Sequence, residues 1–248
     1  MTIRDTYLAA PSSAHWTDEY AAIVEHFFWV PQGINRRAGN SPMPWPEVWA
    51  ALRKRETPLN HLMNIFFRLA PEALSAEILR LGLPNFALEQ PSMLNLRGHP
   101  VTGMCQPDFA FACGGALVFL EMKVSAKLST EQVAKYALAA AVIHPEGPTG
   151  LICLGPAAKL TGADDYQAKL AAGEDLINPK LQRWREKLGV SEHAMRHAMG
   201  KLNIGKMSYA SFYGALTADL LRTPSADETR RKLVLGMAAT LKDLGLTE

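Results

Sequence analysis

Asp108, Glu121 and Lys123 are the residues of this chain whose types and spacing most readily do chemistry. They sit in Gln106-Pro107-Asp108-Phe109-Ala110-Phe111-Ala112-Cys113, then Gly114-Gly115, then Ala116-Leu117-Val118-Phe119-Leu120-Glu121-Met122-Lys123-Val124. A Gly-Gly pair between two apolar runs favours a two-residue hairpin turn. That turn sets Cys113 against Ala116, and counting outward sets Asp108 opposite Glu121. Lys123, two residues on, shares the face of Glu121. Like charges facing each other across a sheet repel. A divalent cation between the two carboxylates would relieve this, with Lys123 adding a second positive group. Leu117 and Phe119 make the Glu121 face apolar, and Val118, Leu120 and Met122 do the same for the other. A strand covered on both faces is a costly place for charge without a purpose.

The elements around this hairpin read as follows. Trp16 to Val30 has helical periodicity, 31–46 is a long Pro/Gly/Asn-rich loop, and Pro46 to Arg55 is a short helix. Thr57-Pro58 opens a helix with Leu59, Leu62, Met63, Phe66 and Leu69 as its apolar stripe. Pro71 to Leu81 is a second helix, ended by Gly82. Leu88 to Leu96 is expected to be a strand, and Ser129 to Ile143 an Ala-rich helix. Gly150 to Leu154 is expected to be a strand, and the stretch around Asp164-Asp165 a loop. Helices are expected over Pro179–Leu188, Ser191–Met199, Ser208–Leu221 and Ala226–Leu244.

Pro107-Asp108 followed by Glu121-Met122-Lys123 resembles the motif of the PD-(D/E)XK nuclease-like superfamily, over a core from roughly Glu56 to Pro156. The element order helix, strand, strand, strand, helix, strand agrees with that resemblance. It implies an α/β fold with a restriction-endonuclease-like core, a central mixed sheet flanked by helices, and here a helical C-terminal portion. The expected organisation is a helical lead-in over 1–55, the core over 56–156, and the helical portion over 157–248.

The resemblance also implies a role for each site residue. Asp108, Glu121 and the backbone carbonyl of Met122 would hold Mg²⁺ or Mn²⁺, and Lys123 would lie beside the attacking water. Hard cations held by oxygen ligands suit phosphodiester hydrolysis, because they activate water and neutralise the in-line transition state. Glu56, at the start of the first core helix, is either a further metal ligand or an acid that merely favours the positive helix end. Glu25, Glu47 and Glu89 are weaker substitutes. Gln132 and Tyr136 match a Gln-x-x-x-Tyr stretch that flanks the site in several branches, while Ser129-x-x-Gln132 also reads as a capping box. The expected reaction is metal-dependent hydrolysis of DNA. The alternative is a nuclease-like fold that binds nucleic acid or protein with little hydrolysis.

Lys127, Lys135, Tyr136, Arg183 and Arg185 are the expected contacts to nucleic acid. The last two belong to a basic cluster that runs from Lys180 to Lys206, which a solvated helical face would also explain. His193 and His197 have two-ligand spacing but no obvious third partner, and a surface helix is the better reading.

Composition is that of a globular chain, 48% hydrophobic and 20% charged over 248 residues, with a formal net charge of +2. This balance neither demands nor excludes a local basic groove. Cys105, Cys113 and Cys153 show no CxxC pairing and suit a reducing interior. With no signal-like N-terminus and no long apolar run, a cytoplasmic protein without a membrane span is expected. A homodimer is compatible with double-strand cutting by one site per chain.

Overall fold

In a computed structural model, the structure describes residues 56–96, 98–124, 128–160, 163–172 and 178–248. The expectations for 16–30, 31–46 and Pro46–Arg55, and for Glu25, Glu47 and Lys127, lie outside the described residues. The chain divides into two compact units, one of Glu56–Ala70 with Leu216–Leu246, the other of Pro71–Ala215 with the last two residues.

The first unit pairs helix α1 (Glu56–Leu69) with helix α8 (Glu228–Asp243). Leu59, Leu62, Met63 and Phe66 of α1 are buried as their spacing demands, together with Phe67, whereas Leu69 is largely exposed. Leu233, Val234, Met237, Ala238 and Leu241 form the buried side of α8. Asp219 and Arg230 hold the turn before α8. The buried Asp219 carboxylate accepts Arg230 Nε at 3.1 Å and a second guanidinium nitrogen, and Thr223 Oγ1 at 3.2 Å.

The second unit is α/β, with one five-stranded mixed sheet in the order β1-β2-β3-β4-β5. Its strands are β1 (Ser92–Met93), β2 (Phe109–Cys113), β3 (Ala116–Met122), β4 (Thr149–Gly155) and β5 (Leu202–Ser208). β1 pairs with β2 and β2 with β3 antiparallel, while β3, β4 and β5 are mutually parallel. The helices are α2 (Glu72–Gly82), α3 (Thr130–Ile143), α4 (Ala163–Ala172), α5 (Pro179–Lys187) and α6 (Glu192–Lys201), followed by α7 (Tyr209–Arg222), which belongs to the first unit from Leu216 on.

The hairpin has the expected register, Cys113 with Ala116 through to Phe109 with Leu120. Gly114 and Gly115 turn it with φ of +54° and +92°, the left-handed pair that a tight hairpin needs. All seven residues of β3 are buried, Glu121 included.

On one side of the sheet lies α3. Tyr136 packs its ring 5.2 Å from that of Phe119, and Leu117, Leu151, Cys153 and Leu202 belong to the same core. On the other side α2 lies so close that glycines are required. A Cβ on Gly205 would sit 1.9 Å from the carbonyl oxygen of Gly82. One on Gly150 would sit 2.4 Å from Leu83 Cδ1.

Three expectations are corrected. The strand expected over Leu88–Leu96 is paired only at Ser92–Met93. Gln90 has a left-handed φ of 44°, and Pro91 has no N–H to give a ladder, so pairing cannot extend toward Leu88. The Asp164-Asp165 stretch is helical, part of α4. Ala, Gln, Lys and Leu follow the two aspartates, and these are good helix formers. Finally, the C-terminal portion is not purely helical, because Leu202–Ser208 supplies the fifth strand. Leu202 and Ile204 alternate with Asn203 and Gly205 there, the period of a strand rather than a helix.

The carboxylate cluster at the end of β3

Pro107 decides where the hairpin stops. Continuing the register past Phe109–Leu120 would set Pro107 against Met122. The Met122 N–H points toward that position, since it donates to Asp108 Oδ2 at 2.7 Å. In a strand a residue's N–H and C=O point to the same side, so the Met122 carbonyl points there too. Pro107 has no N–H to offer it. The side chain of Asp108 thus takes over the role of a ladder carbonyl, and the pairing ends one residue short of the expected Asp108–Glu121 pair. The bend sets the Asp108 carboxylate against the Met122 N–H at the edge of β3.

Glu121 occupies the adjacent position on the α3 side. It is 4% exposed, and both of its oxygens have partners. Lys123 Nζ lies 2.6 Å from Oε1, which also accepts Gln132 Nε2, and Tyr136 donates its hydroxyl to Oε2. Lys123 thus shares the face of Glu121, as two-residue spacing requires. Burying a carboxylate this deeply is costly unless donors satisfy its oxygens.

α3 delivers two of the three donors. Ser129 caps the helix, its Oγ accepting the Gln132 N–H at 3.1 Å. The expected capping box is therefore half realised. The Gln132 side chain donates to Glu121, and one turn later Tyr136 points the same way. Tyr136, expected to contact nucleic acid, has no exposed surface and acts from behind the carboxylate instead. Burial above all, and then the charge of Glu121, hold the Tyr136 phenol well above its ordinary pKa, so it stays a hydrogen donor.

Cys105 and Cys153 border the cluster. Burial first and the charge of Glu121 second push each thiol up to about 12. Both are inert neutral groups at physiological pH.

A polar cavity of about 270 Å³ opens beside Gln132, lined by Met104, Cys105, Gln106, Ser129, Glu131 and Lys135. Lys135 pairs with Glu131 at 2.7 Å along α3, and this partner holds the Glu131 carboxyl below its usual range. Arg183 is exposed and Arg185 half-buried on α5, where Lys187 lies 4.5 Å over the Trp184 ring. His193 and His197 are both exposed on α6. Glu56 opens α1 in the other unit, and its side chain lies outside the described residues.

The structure brings two further residues onto the plane of the site. In the parallel register Glu121 stands beside Cys153, and Cys153 beside Lys206, so the three share one face of β3, β4 and β5. The next row on that face is Lys123, Gly155 and Ser208. Sequence reading placed Lys206 only at the end of a basic cluster. Recognition of β5 as a strand was the signal that would have put it here.

Among the described residues no three His, Cys, Asp or Glu side chains converge as a metal cluster. The oxygen donors at this end of β3 are the Asp108 carboxylate, the Met122 carbonyl and Glu121. All are oxygens, the donor class a hard divalent cation takes. A carboxylate offers about four lone-pair directions, and Glu121 uses three of them in these hydrogen bonds. No helix among the described residues is long and apolar enough to cross a membrane. No protein-family model, curated protein or solved structure matches the chain.

Proposed function

We propose that this protein is a metal-dependent nuclease of the PD-(D/E)XK type that hydrolyses DNA, with Mg²⁺ or Mn²⁺ bound by Asp108, Glu121 and the Met122 carbonyl. One observation carries this reading. Pro107 halts the hairpin at the carboxyl end of the parallel strands, where Asp108 takes the Met122 N–H and Lys123 pairs with Glu121. Crevices at such strand ends are the usual binding places of α/β sheets.

Each residue then has a defined task. Asp108 and Glu121 supply negative oxygen to the cation, which when bound lowers the pKa of water and offsets charge on the phosphate. Lys123 sits next to Glu121 and places an ammonium where negative charge grows in the transition state. Gln132 and Tyr136 fix the Glu121 carboxylate in one orientation, so little reorganisation is needed on binding. Arg183 and Arg185 of α5 and Lys135 of α3 offer positive charge to the nucleic-acid backbone. Three buried free thiols agree with a reducing compartment, and we place the protein in the cytoplasm.

The saturation of Glu121 by Lys123, Gln132 and Tyr136 also favours a second reading, a nuclease-like fold that binds nucleic acid without cutting it. The experiment that decides incubates the protein with plasmid and with linear single-stranded DNA, with and without Mn²⁺, beside Lys123→Ala and Asp108→Ala. Cleavage by wild type alone supports the nuclease. Binding by all without cleavage supports the second reading, and neither binding nor cleavage overturns both.

A further inference from the structure

We propose that the polar cavity beside Gln132 holds one unpaired nucleobase of the substrate, so that the DNA this protein takes is single-stranded. The inference deepens the nuclease reading and rests on it for the identity of the ligand. The cavity measures about 270 Å³ and lies between two pieces of chain that also build the carboxylate site. Met104, Cys105 and Gln106 form one wall, and their segment runs on into Pro107 and Asp108. The start of α3 forms the other, with Ser129, Glu131, Gln132 and Lys135. Both walls are held by their own backbones. The N–H groups of Met104 and Cys105 donate to the Val101 carbonyl at 3.0 and 2.9 Å, and Ser129 caps α3. A site already in place loses less to ordering when a ligand enters.

The lining defines the kind of group that fits. Lys135 and Glu131 pair at 2.7 Å, so their formal charges cancel and the cavity lacks the positive excess that a phosphate needs. The other polar groups are neutral, two amides and a hydroxyl. Ser129 Oγ accepts the Gln132 N–H and still carries its own hydrogen to donate. Gln132 gives its amide nitrogen to Glu121 and keeps a carbonyl oxygen that can accept. Gln106, exposed at the rim, offers both kinds of group. Neutral donors and acceptors of this sort match the edge of a base that has lost its pairing partner. The buried Met104 and Cys105 add two sulfurs, and a thioether contacts aromatic rings favourably.

Size and place then select the strand state. A cavity of about 270 Å³ is at the small end of ligand pockets. It has room for one base and none for a pair still stacked in a duplex. Gln132 ties the cavity to the chemistry, because the amide that lines it is the amide bound to Glu121. A base seated there belongs to the nucleotide beside the phosphate lying over Glu121 and Lys123. Drawing a base out of a duplex costs unpairing and unstacking. A single strand presents the same base without that cost.

The test measures anisotropy of three fluorescent DNAs of equal length in Ca²⁺: a single strand, the same strand with every base replaced by an abasic unit, and a duplex. The first two carry the same phosphates, so their difference reports the bases. Wild type is compared with Gln106→Ala, which removes a rim amide, and Ser129→Asn, which narrows the cavity and keeps a helix-capping residue. Circular dichroism checks folding, and the exposed Gln106 decides alone if the Ser129 variant unfolds. We expect wild type to bind the single strand several-fold more tightly than the abasic strand or the duplex, and both variants to lose the preference over the abasic strand. Equal binding of the strand with and without bases, or a preference that Gln106→Ala keeps, overturns the assignment. Duplex bound as tightly as the single strand overturns the single-strand substrate. Mn²⁺-dependent cleavage lost in Lys123→Ala would leave the nuclease reading standing beside either failure. A cavity-dependent base preference in a protein that never cleaves keeps the assignment and overturns the nuclease. Absence of DNA binding by wild type overturns both.

Discussion

Tyr136 donates its phenolic hydrogen to Oε2 of Glu121, and the pair is sealed between α3 and β3. Removing a partner from a buried acceptor costs more than the bond itself contributes, about 1–3 kcal/mol. Tyr136→Phe should therefore lower stability by about that amount in urea denaturation without changing the m-value. It should also slow Mn²⁺-dependent cleavage, because Glu121 would lose its fixed orientation. A variant as stable as wild type would show that the hydroxyl is not needed there.

Lys123→Ala removes an ammonium paired with Glu121. If Lys123 stabilises developing charge, cleavage should fall about 10²–10³-fold. Stability should fall too, by about 3 kcal/mol, since a buried carboxylate loses its countercharge. The comparison is made at a temperature where melts show both proteins folded. Equal cleavage by both would remove Lys123 from the chemistry.

Pro107→Ala restores an N–H opposite the Met122 carbonyl. The hairpin should then pair one step further and occupy the oxygen that the cation needs. Mn²⁺ uptake measured by calorimetry should weaken, while stability stays within about 1 kcal/mol, the usual scale of a proline's effect on the unfolded chain. Undiminished uptake would place the cation elsewhere.

Gly205→Ala and Gly214→Ala should move stability in opposite directions. At Gly205 the added carbon would meet the Gly82 carbonyl at 1.9 Å, backbone against backbone, with no flexible end to yield. The loss should reach about 3 kcal/mol or more. Gly214 lies inside α7 with open space around it, and alanine there should gain about 1 kcal/mol from helix propensity. Thermal melts of the two variants check both signs.

Alkali should destabilise the fold through Cys113. Burial pushes its thiol from 9.0 to about 12. Between those values the unfolded chain has released the proton and the folded chain retains it. The contribution is complete below pH 9 and is lost as pH rises, at about 1.4 kcal/mol per pH unit. Chemical denaturation from pH 8 to pH 10.5 should show a shallower decline in Cys113→Ala. Parallel declines would mean that the thiol titrates normally in the native protein.

The sequence was most legible where local chemistry acts alone. Gly114-Gly115 set the hairpin register, Ser129 capped α3, and Glu121 and Lys123 shared a face because strands alternate. It was least legible where distant elements decide. Leu202–Ser208 pairs with β4 from far along the chain, and its two-step alternation of apolar residues is too short to stand out between two helices, so Lys206 was not linked to Glu121. Asp108 was placed correctly near β3, but its carboxylate turned to a backbone N–H, a choice made by Pro107 that pairing arithmetic alone does not reveal. Tyr136 was assigned to the right neighbourhood and the wrong surface, since an Ala-rich helix does not announce which of its sides is covered.

The three donors around Glu121 have a kinetic meaning as well. A carboxylate anchored by an amine, an amide and a phenol cannot swing freely between rotamers, so the residue enters any encounter already ordered. A cation reaching it would exchange places with existing hydrogens instead of recruiting a wandering side chain. Loading should then be slow relative to diffusion and should proceed with little change in the surrounding backbone.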